Sequence, residues 1–316
     1  MNTDNLLTFG PVPSRRLGHS LGINNIPPKI CSYACIYCQV GKTIRMQVER
    51  GAFYTPENLF KAVEKRINDI QDRKEHIDYL TFVSDGEPTL DITLGKSIDL
   101  LKKLGIKIAV ITNASLIWKD YVRADLSKAD WVSLKIDTVS ETIWHKINRS
   151  HKYLQLDKIL QGITEFSHIF KGELLTETMI IQGINDDLAE MEKTSNFIAG
   201  LKNAKSYIAI PTRPPVEKWV KPANEQFINT AYQLFKEKNI NAEYLIGYEG
   251  NAFAFTGNIE EDLLSITAVH PMREDAVNAL LKKAKTNWII VDRLIEESKL
   301  VELKYKDKKF YMRKSC

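Results

Sequence analysis

The sequence predicts an α/β fold, a partial (βα)6-type barrel followed by a small winged-helix domain. Short apolar segments alternate with amphipathic segments between residues 56 and 246, and this alternation is typical of parallel βα units. Beyond residue 255 the pattern changes to three helical segments and two short strands. We therefore predict a barrel over residues 1–255 and the small domain over residues 256–316.

The apolar segments are the predicted strands of the barrel, and the amphipathic segments between them are the predicted helices. The strands comprise residues 79–83, 106–111, 131–136, 175–181, 207–210 and 242–246, with one more around residues 21–25. The helices comprise residues 57–72, 91–104, 188–201 and 224–238. Six or seven such units suit a partial barrel better than a closed eightfold one.

The carboxyl-terminal segment has the outline of a winged helix. Helices are predicted over residues 260–269, 273–283 and 287–298, and a hairpin over Leu300–Tyr305 and residues 309–313. Seven Lys and Arg residues against two acids give residues 298–316 a local charge of +5. A basic wing of this kind can bind a phosphate backbone, so RNA is a candidate partner, and a solvated lysine-rich surface is the alternative. We expect the hairpin lysines to lie away from the barrel rim: Lys304, Lys306, Lys308 and Lys309.

The overall composition is that of an ordinary globular protein, with 44% hydrophobic and 27% charged residues. A net charge of +4 is too small by itself to indicate nucleic-acid binding. No apolar run reaches about 18 residues, so no membrane partner is expected. The first ten residues lack the basic start and apolar run of a secretory signal, so we expect a cytoplasmic protein.

Three of the four cysteines lie within eight residues, in Cys31-Ser-Tyr-Ala-Cys35-Ile-Tyr-Cys38. Cysteines this close are poorly placed for disulfides, and in a reducing compartment they indicate metal or redox chemistry. A structural zinc site takes four ligands, whereas three thiolates on a four-iron cluster leave one iron open to a small molecule. Zinc or an unrelated cluster remains the alternative. Cys316, the last residue, is expected to fray.

The CxxxCxxC spacing, with Tyr37 before the last cysteine, resembles the signature of radical S-adenosylmethionine (SAM) enzymes. The resemblance implies a partial (βα) barrel, a 4Fe–4S cluster on the three cysteines, SAM as the second cofactor and Tyr37 beside these cofactors. It also implies a low-potential electron donor of the flavodoxin or ferredoxin type. Residues 9–22, 212–215 and 270–274 resemble an Fe–S oxidoreductase branch related to wybutosine-synthesis enzymes.

Polar residues follow the predicted strands at their carboxyl ends, where such barrels hold their active sites. Asp85-Gly86-Glu87 stands where the family has a Gly-Gly-Glu-like segment, so the resemblance implies that Gly86 and Glu87 bind the amino group of SAM. A carboxylate that caps the turn before Pro88 is the alternative for Glu87. Asn113 is a candidate for ribose or substrate, with a turn-forming Asn as the alternative.

Residues two apart share a face of a strand, so Lys135 and Asp137 are predicted to point into the barrel. A buried lysine is costly unless it is paired or meets an anion. Lys135 would then bind the SAM carboxylate and Asp137 the ribose hydroxyls; a purely structural Lys135–Asp137 pair is the alternative. Gly183 resembles the glycine that backs the adenine in the family, and a strand-to-helix turn capped by Asn185 or Asp186 explains it almost as well.

Three arginines, Arg15, Arg16 and Arg213, are predicted close to one rim, where they would bind an anionic substrate or the SAM carboxylate. A solvated charge or an internal salt bridge is the alternative for each. His270, before Pro271, is predicted to be a structural helix-end residue.

The predicted function is that of a radical SAM enzyme. A 5′-deoxyadenosyl radical would abstract hydrogen from a substrate such as a tRNA base or another macromolecule, with Glu87, Lys135 and Arg213 as the catalytic candidates. The alternative is an iron- or SAM-responsive nucleic-acid-binding regulator that uses the winged helix. Formation of 5′-deoxyadenosine after reduction distinguishes the two.

Overall fold

The computed structural model describes residues 7–71, 75–247 and 250–314. Ten strands of this part build the barrel region: β1 (Thr8–Ser14), β2 (Gly18–Ile23), β3 (Ile30–Cys31), β4 (Arg45–Met46), β5 (Tyr79–Phe82), β6 (Lys107–Thr112), β7 (Trp131–Lys135), β8 (Glu173–Met179), β9 (Lys205–Ala209) and β10 (Asn241–Leu245). Eight of them form one sheet in the order β1-β2-β5-β6-β7-β8-β9-β10, in which only β1 is antiparallel to its neighbour. The sheet has two edges, β1 and β10, which confirms the predicted partial barrel.

Helices cover the outer face of this sheet: α1 (Pro56–Gln71), α2 (Leu94–Leu101), α3 (Asp120–Leu126), α4 (Glu141–Asn148), α5 (Leu156–Ile169), α6 (Leu188–Ala199) and α7 (Glu225–Glu237). The main hydrophobic core lies between them and the strands and includes Val132, Leu134 and Ile136, as the alternation in β7 predicts. Within the described residues, no helix combines the length and the apolar character needed to cross a membrane.

Some elements differ from the sequence-based expectation. Helices α3, α4 and α5 and strand β1 were not predicted, and residue 72, the predicted end of α1, lies outside the described residues. The predicted helix over 91–104 is shorter, because 3₁₀ turns at Pro88–Leu90 and Lys102–Leu104 flank α2. Asp91 accepts from the backbone N–H of Thr93 at 2.8 Å and from Asn25 Nδ2 at 3.1 Å, so its side chain stabilises a turn there.

An apolar plug fills the barrel interior at one end. Leu17, in the turn between β1 and β2, packs with Ala109, Trp131, Leu175 and Tyr207. Residue Ser20 of β2 pairs with the first residue of β5, so this turn lies at the amino-terminal end of the parallel strands. The plug thus leaves the carboxyl-terminal end of the strands for polar side chains.

The carboxyl-terminal part comprises α8 (Ile259–Val269), β11 (Met272–Arg273), α9 (Glu274–Lys283), α10 (Ile289–Glu296), β12 (Leu300–Tyr305) and β13 (Lys308–Arg313). The three helices and the hairpin follow one another as predicted. In addition, β11 pairs with β13, which gives a three-stranded antiparallel sheet in the order β11-β13-β12.

Strand β1 joins the two parts of the chain. Phe9 and Val12 lie on β1 but are buried in the core of the carboxyl-terminal helices, together with Phe253. Arg66 of α1 also forms an ion pair of 3.3 Å with the buried Asp262 of α8. The predicted domain boundary at residues 255 and 256 stays a prediction, and these contacts indicate that the parts on either side stabilise each other.

Truncation of Phe9 tests this coupling. Phe9→Ala should lower the free energy of unfolding by about 3–5 kcal/mol, because it leaves a cavity in the carboxyl-terminal core. Ile169→Ala, at a side chain that is 50% exposed on α5, should cost about 1 kcal/mol or less. Urea unfolding followed by circular dichroism measures both changes. A loss for Phe9→Ala no larger than that of the control would show that β1 contributes little to the carboxyl-terminal core.

Candidate active site

The three clustered cysteines lie on one loop, residues 29–46, which we name the cysteine loop. All three are free thiols and half-buried. The loop is fastened to the end of α4, where the backbone N–H groups of Ala34 and Ile36 donate to the carbonyls of Asn148 and Ile147 at 3.0 Å. Backbone bonds of this kind hold the loop in one conformation without using its side chains.

A second anchor joins the cysteine loop to the segment after β5. Gly86 forms a parallel bridge with Ile30, and the N–H of Glu87 donates to the Ile30 carbonyl at 3.1 Å. A Cβ at position 86 would stand 2.0 Å from that carbonyl oxygen, so only glycine permits the approach. Lys29 adds a buried ion pair of 2.8 Å with Asp85 and donates to the carbonyl of Val40. Asp85 therefore acts by holding the loop.

Amide groups of neighbouring elements lie beside two of the three thiols. Asn113 Nδ2 lies 3.5 Å from Cys31 Sγ, and Asn148 Nδ2 lies 3.4 Å from Cys35 Sγ. Burial raises the pKa of all three thiols, that of Cys35 to about 12, so a bound cation is needed to hold them as thiolates. Three thiols on one loop with N–H donors at two sulfurs fit a 4Fe–4S cluster, whose sulfurs commonly accept such bonds.

Glu87 is almost fully occupied by protein donors. Its Oε1 accepts from Thr89 N at 2.9 Å and from Thr112 Oγ1 at 2.6 Å, and its Oε2 accepts from Asn113 N at 2.8 Å. Burial raises the pKa of this carboxyl, and the Thr112 and Thr89 donors oppose the rise. Glu87 thus caps the 3₁₀ turn, the alternative that the sequence left open, and also orders Asn113 beside Cys31.

Asp137 is the centre of a buried network between the barrel and the cysteine loop. Its carboxylate accepts from the Tyr37 hydroxyl, from Asn148 Nδ2 at 2.8 Å and from the backbone N–H of Met179 at 3.0 Å. Burial raises the pKa of Asp137, and the nearby charge of Lys135 opposes the rise. Because Asn148 also faces Cys35, this network connects the loop to the interior of β7 and β8.

Lys135 points into the barrel as predicted, but its partner is Glu177 on β8 and not Asp137. Glu177 also pairs with Arg16, whose guanidinium lies over the rings of Trp131 and Tyr207 at 5.9 and 5.8 Å. Burial alone would raise the pKa of Glu177, but the two cations outweigh it and lower the pKa to about 2. Burial likewise would lower the pKa of Lys135, and Glu177 raises it instead.

The three arginines predicted at one rim have different neighbours, and their clustering stays a prediction. Arg16 is held inside the barrel by its salt bridge to Glu177. Arg15 is exposed and lies near Gly247, about 3.3 Å from where a Cβ on that residue would stand. Arg213 lies beside the cysteine loop, since its N–H donates to Gln39 Oε1 at 3.2 Å.

Gly183 lies in an exposed turn, with φ of +73° and open space where a Cβ would be. Its N–H donates to Asp186 Oδ1 at 2.6 Å, so turn formation accounts for this glycine. The predicted helix cap was misplaced, because Asp187 caps α6. Asn185 instead reaches the site, where its Nδ2 donates to the carbonyl of Asp137 at 2.8 Å.

His270 has the structural role that the sequence predicted. It ends α8, is buried and stands edge-on to Phe253 at 5.3 Å. Burial, aided by the charge of Arg213, holds its pKa well below the ordinary value.

The carboxyl-terminal hairpin lies against the barrel rim, so the predicted separation of its lysines from the rim is wrong. Tyr305 donates from its hydroxyl to the carbonyl of Pro211, after β9, at 3.0 Å. Lys306, at the hairpin turn, lines a small cleft with Thr212 and Ile246. Lys304 lines a larger cavity that also includes Cys38.

Three site residues were missed by sequence reasoning: Lys29, Asn148 and Glu177. Glu177 carried a usable signal, because a glutamate inside an otherwise apolar predicted strand raises the same question as Lys135. Asn148 ends a helix that was not predicted, and Lys29 carried no distinguishing pattern.

Comparison with known proteins identifies the family. The model of the Radical SAM superfamily matches residues 25–198, more than half of the chain. The chain belongs to the radical SAM superfamily. It is 50% identical over 309 residues to the UPF0026 protein MJ1312 of Methanocaldococcus jannaschii. The match covers 97% of this chain and 96% of the M. jannaschii protein.

One solved structure shares the fold of this radical SAM protein, and a second is a weaker match. A radical SAM methyltransferase from Sphaerobacter thermophilus has a TM-score of 0.53 at 12% identity and covers 72% of this chain and 66% of that one. A structure of TYW1 with a lysine-pyruvate adduct bound has a TM-score of 0.49 at 18% identity. The match covers 69% of this chain and 73% of the TYW1 chain. The family match identifies this radical SAM protein as an enzyme whose cofactors are a 4Fe–4S cluster and SAM, as predicted.

Substitution of Glu177 tests the buried ion pairs of the radical SAM barrel. Glu177→Gln leaves Lys135 and Arg16 without a counter-charge, so the free energy of unfolding near neutral pH should fall by about 3–5 kcal/mol. Since folding lowers the pKa of Glu177 from 4.5 to about 2, the wild-type advantage should be complete above pH 4.5 and diminish as the pH falls toward 2.

Urea unfolding of the metal-free protein across that range measures this advantage. Glu192→Gln, at an exposed residue of α6, is the matched control and should change little. Equal losses for the two variants, or a wild-type advantage that is independent of pH, would contradict the assignment.

Proposed function

We propose that this enzyme cleaves SAM reductively and uses the resulting radical to abstract hydrogen from a substrate held between the barrel and the carboxyl-terminal hairpin. The observation that carries the proposal is the cysteine loop. Two of its three free thiols, those of Cys31 and Cys35, face amide donors from Asn113 and Asn148 beside a buried, charged barrel interior. A loop with a structural zinc would have no need of such an interior.

When bound, the 4Fe–4S cluster supplies the electron that splits SAM into methionine and a 5′-deoxyadenosyl radical. The chain's own residues hold, orient and shield the reacting groups. Cys31, Cys35 and Cys38 are the proposed ligands, and Asn113 and Asn148 donate toward two of their sulfurs. Such N–H donors stabilise negative charge on sulfur.

Carboxylates and backbone at the rim are the proposed contacts of the positively charged parts of SAM. Gly86 brings the backbone after β5 against the cysteine loop, and Oε2 of Glu87 has one protein donor, which leaves acceptor capacity. Asp137 accepts from Tyr37 of the cysteine loop and from Asn148, which faces Cys35. Charge-assisted hydrogen bonds to an ammonium group suit this arrangement.

The cationic side chains of the site are the proposed contacts of anionic groups of SAM or the substrate. The buried Nε of Arg16 has no acceptor among the described residues, so one donor remains for a ligand inside the barrel. Lys135 lies beside it, over the ring of Tyr37 at 5.5 Å. Arg213, next to Gln39 of the cysteine loop, is the proposed contact on the substrate side.

The substrate that we propose is a tRNA base or another macromolecular group. The order of α8, β11, α9, α10 and the hairpin supports a winged helix, which would present the substrate to the rim. We do not favour an iron- or SAM-responsive regulator, since a sensor has less need of the charged interior around Lys135.

The proposed electron donor is a flavodoxin- or ferredoxin-type protein in the cytoplasm, where thiols stay reduced. An exposed surface beside the cysteines supports this partner. Met46 pairs with Cys31 across β3 and β4, and the neighbouring Ile44 and Arg45 are exposed. An apolar and basic surface of this kind suits an acidic redox partner.

The cluster assignment is tested by replacing each cysteine. Anaerobically reconstituted protein should hold about four irons, and Cys31→Ala, Cys35→Ala or Cys38→Ala should abolish formation of 5′-deoxyadenosine after dithionite reduction. Cys316→Ala, outside the described residues, is the control and should keep both iron and activity. Full activity of Cys35→Ala, or stoichiometric zinc in place of iron, would falsify the assignment.

The SAM-binding role is tested at Asp137. Asp137→Asn removes the charge but keeps the shape, so SAM affinity should weaken by about 1.5–3 kcal/mol, the usual range for hydrogen bonds to a charged group. Iron content should not change. Calorimetric titration with SAM measures the effect, and Asp157→Asn, at an exposed residue of α5, is the control. Wild-type affinity in Asp137→Asn would remove Asp137 from the proposed SAM site.

A further inference from the structure

A cavity of about 640 Å³ lies between the cysteine loop and the carboxyl-terminal hairpin. Cys38 and Lys42 form its wall on the cysteine loop, and residues 214–216 with Lys218, after β9, form a second wall. Strand β12 and the end of β13 form the third wall. Its volume lies within the range of about 300–1,000 Å³ that is usual for sites of small organic molecules.

The charged residues of this cavity are mostly lysines: Lys42, Lys218, Lys304 and Lys314. Among the described residues, three of them have no carboxylate partner, and Lys304 has only an exposed contact of 3.9 Å with Asp307. The one acid of the lining, Glu302, is already bound by Tyr311 at 2.8 Å and by Lys309 at 3.2 Å. The cavity therefore carries an uncompensated positive charge.

The remaining lining is largely apolar. Pro214, Pro215 and Val216 face Leu303, Tyr305 and Met312 across the cavity. An occupant with a flat or apolar body would bury that surface, while an anionic group would neutralise the lysines at the rim. Unpaired ammonium groups around one small volume repel each other, so an occupant with two negative charges suits them better than one with a single charge.

SAM does not match this cavity. Its sulfonium and ammonium groups outweigh its carboxylate, so the molecule is positively charged overall and the lysines would repel it. Carboxylates that can attract it, Glu87 and Asp137, lie by contrast beside Cys31 and Cys35. The two sides of the cysteine loop thus have opposite charge preferences.

We infer that this cavity binds the substrate, and that the substrate is a phosphate ester with an apolar or aromatic body, such as a nucleotide. The inference rests on the proposed function, because a substrate must lie beside the cluster to meet the radical, and Cys38 borders the cavity. Lysines are suitable ligands for phosphate because each acts as a compact point charge. The bond from Tyr305 to Pro211 holds the hairpin wall against the barrel.

A lysine-neutralised variant tests the inference by direct binding. A free nucleotide and a nucleotide within RNA share the phosphate ester, so both are used as probes: a nucleoside 5′-monophosphate by calorimetry and a 12-nucleotide RNA by fluorescence anisotropy. Lys42→Gln/Lys218→Gln/Lys314→Gln should weaken binding of the recognised probe by about 10- to 100-fold. If RNA is recognised, the salt dependence of its binding should become weaker. The slope of log K against log salt concentration should decrease in magnitude by about 0.7 per lost phosphate contact.

The matched control is Lys61→Gln/Lys65→Gln/Lys102→Gln, three exposed lysines outside the cavity, two on α1 and one on the 3₁₀ turn after α2. It should bind both probes like the wild type, and iron content should be the same in all three proteins. The inference would be overturned if the wild type bound neither probe, or if the two triple variants lost binding equally. It would also be overturned if the cavity variant lost its iron together with binding. Formation of 5′-deoxyadenosine by the wild type, measured separately, tests the proposed function alone.

Discussion

The backbone contact between Gly86 and Ile30 fixes the position of the cysteine loop on the barrel. Ile30 immediately precedes Cys31, and Glu87 immediately follows Gly86, so one contact sets the first thiol against the polar end of β5. Any side chain at position 86 would force the two segments apart. The bonds from Thr112 and Asn113 to Glu87 then extend this order to the end of β6.

A continuous polar network runs from the floor of the barrel to the cysteine loop. It starts at Arg16 and Glu177, passes through Lys135 to Tyr37 and Asp137, and ends at Asn148 beside Cys35. In a low-dielectric interior, each member stabilises the position of the next, and the loss of one leaves its neighbours unsatisfied. Such a network gives the interior rigid, charged walls, which suits a site that must orient a reactive species.

The sequence predicted the alternation of strands and helices, the partial barrel, the cysteine loop and the inward orientation of Lys135. It could not predict the partner of Lys135, because that choice depends on the register of β7 and β8, which places Lys135 opposite Glu177. Strand β1 escaped prediction because Gly10, Pro11 and Pro13 argue against a strand. The sheet tolerates these residues because β1 is an edge strand. One side of β1 pairs with no other strand of the sheet and needs no N–H donors there.

Strand β1 belongs to the barrel sheet and also packs in the carboxyl-terminal core, and this has a consequence for biosynthesis. Phe9 and Val12 are synthesised before the helices that cover them, α8 to α10, because these helices come later in the chain. Until then, β1 carries two uncovered apolar side chains on an edge strand, a combination that favours association with other chains. The nascent barrel therefore depends on the later helices α8 to α10, or on a chaperone, for protection of β1.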